Sequence, residues 1–139
     1  TELEKSRVED MYKKAVWKEF DKRMFQVFEK SIHCVDGLYF NVIKENRIGE
    51  RISFKDNEVL NYLQDLHSMT GELYIITDYC YEHDYGPFMV GSNELERFVN
   101  TFKTVFREPF YSTDVIIVNF EQKLIWVFFH EGMCWVSKG

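Results

Sequence analysis

Val115-Ile116-Ile117-Val118-Asn119-Phe120, Lys123-Leu124-Ile125-Trp126-Val127-Phe128-Phe129 and Met133-Cys134-Trp135-Val136 are three β-rich runs in close succession. Glu121-Gln122 and Glu131-Gly132 mark the turns between them. A parallel crossover needs a dozen or more residues, so connections this short force an antiparallel meander. The reading of this tail decides the fold, because it commits the chain to a mainly antiparallel sheet.

Working back from the meander, Leu95, Phe98, Val99, Phe102, Val105 and Phe106 share one helical face. Ser92 or Asn93 is placed to cap that helix and Pro109 to stop it. The Phe98, Phe102, Phe106 stripe at this spacing reads as core rather than as a cofactor box. Leu73-Tyr74-Ile75-Ile76-Thr77, bounded by Gly71 and Asp78, reads as an interior strand. Asp56 is read as the N-cap of a short helix that turns Val59, Leu60, Leu63 and Leu66 inward. Leu38 to Ile43 and Arg51 to Phe54 flank the turn-rich Glu45-Asn46-Arg47-Ile48-Gly49, the pattern of a hairpin. From Glu4 to Ile32 there is neither Pro nor Gly, and apolar residues recur every three or four positions, which predicts one amphipathic helix or two. The expected order is α-β-β-α-β-α-β-β-β. It gives a single α+β domain over residues 1–139, a mainly antiparallel sheet ending in a three-stranded meander and packed against about three helices.

Composition bounds the function. The 139 residues are 45% hydrophobic and 29% charged, a globular balance without linker, repeat or low-complexity stretch. The longest apolar runs fall far short of the roughly 20 residues that cross a bilayer, and no signal segment is visible in the stretch given, so no membrane role is expected. Cys34, Cys80 and Cys134 are odd in number and widely spaced, which predicts free thiols and a cytoplasmic setting. A net charge of -6 makes a phosphate-backbone grip unfavourable, so nucleic acid is not an expected ligand. Aromatic residues reach 17%, more than a core of this size hides easily, so some of them are expected in a binding surface.

Phosphate-binding glycine loops, dinucleotide fingerprints, nucleophile elbows and His-Glu-x-x-His are all absent. Cys80-x2-His83 and His130-x3-Cys134 together carry the residue types of a four-coordinate zinc site. They lack a paired Cys-x2-Cys, and neither a metal nor another cofactor is expected. Cys34 beside His33 reads as a buried structural thiol, since adjacent side chains point apart. Trp126 and Trp135, on consecutive strands, are candidate cross-strand neighbours.

The densest chemistry lies in Asp78-Tyr79-Cys80-Tyr81-Glu82-His83-Asp84-Tyr85-Gly86-Pro87-Phe88. As an active site, His83 has the chemistry of a general base oriented by Asp84 or Glu82, with Asp78 and even His130 as further groups; no nucleophile or oxyanion hole accompanies them. A small metal-dependent or acid-base hydrolase is therefore one alternative, and a small-ligand-binding regulatory module with a pocket between helices and sheet is another. As a binding surface, Asp78, Tyr79, Tyr81, Glu82, His83, Asp84 and Tyr85 offer rigid amphipathic rings beside carboxylates that select and steer a basic protein. In its acidic charge, its aromatic content and this loop, the chain resembles bacterial immunity proteins that neutralise a toxin. The resemblance implies a non-catalytic cytoplasmic protein that occludes the basic active site of a cognate toxin.

Overall fold

The meander forms where its turns place it, as β5 (Val115–Asn119), β6 (Leu124–Phe129) and β7 (Met133–Lys138). The computed structural model describes residues 12–31, 42–47, 55–82 and 86–139. Chain order before the meander is β1 (Lys13–Lys14), α1 (Trp17–Phe28), β2 (Val42–Arg47), α2 (Asp56–Leu66), β3 (Glu72–Ile76), α3 (Asp78–Glu82), β4 (Phe88–Gly91) and α4 (Leu95–Phe106). Among the described residues the strands make one seven-stranded sheet in the order β1-β4-β3-β5-β6-β7-β2, every neighbouring pair antiparallel. The fold is α+β, with the meander at the heart of the sheet.

Strand parity divides the sheet into two buried faces. Tyr74, Val118, Ile125 and Ser137 are register partners in turn across β3, β5, β6 and β7, so they share one face. Ile75, Ile117, Trp126 and Val136 follow the same path on the other. Helix α1 covers the Tyr74 face through Phe20, whose ring lies 5.5 Å from both Tyr74 and Phe120. Its Met24 and Phe28 are buried one and two turns further on. Helices α2 and α4 cover the opposite face: Phe98 of α4 meets Phe88 at 5.2 Å and Phe110 at 5.6 Å, and Tyr111 meets Phe128 at 5.3 Å. The Phe98, Phe102, Phe106 stripe is core, as its spacing predicts. Full burial of a ring of this size stabilises by about 1.5–3 kcal/mol, so this aromatic cluster is a principal source of cohesion on that side.

Several local expectations change. Of the segment predicted as helix, residues 4–11 and 32 lie outside the described residues, Trp17–Phe28 is helical, and Lys13 and Lys14 are extended and pair with Met89 and Phe88. Sheet pairing overrides helix propensity there, as a weak prior allows. The predicted turn Glu45-Asn46-Arg47 belongs to strand β2, which pairs with β7; the flanking runs at 38–41 and 51–54 of the expected hairpin lie outside the described residues. Asp56 does not cap α2. It is the first helical residue, and its buried carboxylate instead accepts the backbone N–H groups of Phe110 at 2.9 Å and Tyr111 at 3.1 Å. Neither Ser92 nor Asn93 caps α4; they form a 3-10 turn that leads into it. The helix ends at Phe106, with Arg107 in the left-handed region before Pro109. Trp126 pairs with Val136 and Trp135 with Val127, one step out of phase, so the two indoles sit on opposite faces of the sheet. Both are buried, and the two faces of the meander are therefore both interior.

Candidate functional site

Residues 78–88, expected as a polar-aromatic loop, contain a helical turn and the start of a strand, and residues 13–17 hold both in place. Asp78–Glu82 form α3, and Phe88–Gly91 form β4 between β3 and β1. The Ala15 N–H donates to the Pro87 carbonyl at 2.8 Å, extending the β1–β4 ladder by one bond. Gly86 has φ +80°, and a Cβ there would fall 1.8 Å from the Ala15 carbonyl oxygen. Only glycine lets the two backbones approach this closely. The next residues of the same segment complete the joint: the Trp17 Nε1–H donates to the Cys80 carbonyl at 3.4 Å, and the Trp17 ring stacks on Tyr81 with centroids 4.9 Å apart and planes 17° from parallel.

This places the sequence-predicted residues unequally. Tyr81 is 43% exposed and presents the outer side of the stack to solvent. Burial first, then Cys80 and the carboxylates of Asp21 and Asp78, push its phenol pKa up to about 12, so the ring stays a neutral hydroxyl across the physiological range. Asp78 is exposed, whereas Tyr79 is buried, stacked on Phe88 at 6.2 Å and edge-on to Phe106 at 4.8 Å, where its ring supports the core instead of facing outward. His83, Asp84 and Tyr85, and the side chain of Glu82, lie outside the described residues.

Sequence reading overlooked the α1 side of this surface. Trp17 and Asp21 stand one turn apart on α1, and the Ser31 hydroxyl donates to Asp21 at 3.4 Å. Phe25, 56% exposed, lies two turns from Trp17 on the Asp21 side of α1, whereas Val16, 65% exposed, precedes the helix on its other flank. The periodicity of α1 contained a signal for them: Val16 and Phe25 fall off the Phe20, Met24, Phe28 stripe that faces the core. Together Trp17, Tyr81, Asp21 and Asp78 make a flat aromatic ledge bordered by carboxylates.

Of the other chemical candidates, Cys34 and His83 lie outside the described residues, and Cys80 and Cys134 stand apart. Cys80 is buried after β3, with the Thr77 N–H directed at its sulfur at 3.5 Å, and desolvation raises its thiol pKa. Cys134 is buried on β7, three strands along the sheet from β3, and burial pushes its thiol up to about 12. Among the described residues no group of three or more His, Cys, Asp or Glu side chains converges as metal ligands. His130 belongs to another constellation that the sequence did not reveal: its Nδ1 lies 2.7 Å from the Asp114 carboxylate, which also accepts the His130 backbone N–H at 2.9 Å. That pair ties the β6–β7 turn to the start of β5, and it fixes the ring through Nδ1. No helix among the described residues is long and apolar enough to cross a membrane. Set against protein-family models, curated proteins and solved structures, the chain has no significant match.

Proposed function

We propose that this chain is a non-catalytic protein-interaction domain, an immunity-type inhibitor that occludes a basic partner protein with its acidic aromatic ledge. The observation that supports this reading is the stacked Trp17–Tyr81 pair, held by the Cys80 carbonyl and with Tyr81 43% exposed, with Asp21 and Asp78 beside it. Aromatic rings already fixed by packing lose little freedom on binding, and tyrosine and tryptophan dominate the energetics of interfaces. The carboxylates add attraction and steering towards a Lys/Arg-rich surface, in keeping with a net charge of -6. In this reading the partner's basic active site is covered by a surface that performs no chemistry itself.

The test is a binding titration of purified partner against variants that keep the fold. Tyr81→Ala and Asp78→Lys alter exposed side chains, so their circular dichroism should match that of the parent chain. Each should weaken binding by about 2 kcal/mol, the scale of a hot-spot truncation. Unchanged affinity in both would remove the ledge from the interface.

A further inference from the structure

On the flank of α1 opposite the ledge, a groove of about 340 Å³ opens between the helix and the Tyr74 face of the sheet. Glu19, Lys22, Arg23 and Gln26 line it from the helix, and Tyr74 and Phe120 from beneath. The Arg23 guanidinium carbon lies over Phe120, 4.4 Å from the ring centroid, and its Nη1–H donates to the Tyr74 hydroxyl at 3.1 Å. Tyr74 in turn is linked to Glu72, and burial, then Glu72, raises its phenol pKa against the opposing pull of Arg23. Among the described residues Arg23 has no carboxylate in ion-pair contact. The guanidinium is thus oriented by a ring and a hydroxyl, while most of its five N–H donors are left for another acceptor.

We infer that this groove is a binding site for a small monocarboxylate. A fork of parallel N–H groups held against an aromatic face matches the two oxygens of a carboxylate, and the Gln26 amide and Lys22 ammonium are further donors on the same wall. The charge of the lining selects the valence of the ligand. Lys22 and Arg23 face Glu19 on the helix wall and Glu72 behind the Tyr74 hydroxyl, so two cations meet two carboxylates; a monoanion at the guanidinium adds one negative charge, whereas a phosphate dianion sets a second charge against Glu19 and Glu72. Arg23 is exposed, so water screens the pair, and weak affinity on the order of 100 mM is expected for the carboxylate group alone.

The test is a nuclear magnetic resonance titration of the full chain with sodium acetate, and separately with inorganic phosphate, at constant ionic strength. Saturable shifts at the Arg23 Nε–H and the Gln26 side-chain amide are expected with acetate. Arg23→Lys, which keeps the charge and loses the fork, should weaken them about tenfold, and phosphate should bind no more tightly than acetate. Gln26→Ala, at the exposed rim, repeats the test should Arg23→Lys disturb the fold, and should also weaken binding. Shifts that stay linear, equal affinity in the variants, or tighter binding of phosphate would each overturn the assignment.

Discussion

Asp56 is the residue whose replacement should damage the fold most for the fewest atoms removed. Its two carboxylate oxygens take one backbone N–H each, Phe110 at Oδ2 and Tyr111 at Oδ1, and join the start of α2 to a segment 54 and 55 residues further along the chain. Both donors belong to residues that are almost fully buried, at 2% and 4% exposure, so water cannot easily replace the lost acceptor. A hydrogen bond to a charged group contributes about 1.5–3 kcal/mol, and a buried amide left unpaired costs about as much. Asp56→Ala should therefore lower stability by about 3–5 kcal/mol. Asp56→Asn keeps one acceptor oxygen but turns an NH2 group towards the second donor, and should cost about 2–3 kcal/mol. For a chain of this size the Ala variant corresponds to a fall in Tm of about 10–15 °C. Urea denaturation with an unchanged m value is the assay, with the exposed neighbour Asn57→Ala as a control expected within about 0.5 kcal/mol of the parent. A loss below about 1 kcal/mol for Asp56→Ala would refute the clamp.

Two further substitutions test adjoining parts of the account. The Tyr111 hydroxyl is buried without a hydrogen-bond partner among the described residues, and burial, then Asp56, raises its pKa far above the usual phenol value. Tyr111→Phe should thus leave stability unchanged or raise it by up to about 1 kcal/mol in the same denaturation assay, and a clear loss would show that the hydroxyl is satisfied. Gly86→Ala places a methyl group against the Ala15 carbonyl at a positive φ, so it should destabilise by at least about 2 kcal/mol. Hydrogen exchange should then show the Ala15 amide losing protection before the amides of β5 and β6; a variant as stable as the parent would contradict the close approach.

How much of this was legible in the sequence depended on the range of the interactions concerned. The meander, α2 and α4 could be read because turn length and apolar period are local and each agrees with the final packing. Lys13-Lys14 could not, because two lysines in a helical pattern become a strand only through pairing with Phe88 and Met89, some 75 residues away. The polar run Glu45-Asn46-Arg47 resembles a turn until β7 supplies its ladder. Asp56 has the residue type of a local cap, but its partners are distant backbone amides. In the candidate site, Tyr81 and Asp78 were visible as residues, whereas the ring that orients Tyr81 comes from Trp17 on a different element. Tyr79, two residues before Tyr81 in the same short helix, points into the core, a difference that composition alone does not encode.

The most direct test of the proposed interaction is a pull-down from native cell lysate at low and at high salt, using the parent chain and the Tyr81→Ala, Asp78→Lys double variant as parallel baits. A basic protein captured by the parent at low salt, released at high salt and missed by the variant is the predicted result, since screening and loss of the ledge should each abolish capture. A partner held equally by both baits, or no protein specific to the parent at either salt, would contradict the reading of the Trp17–Tyr81 ledge as an inhibitory surface.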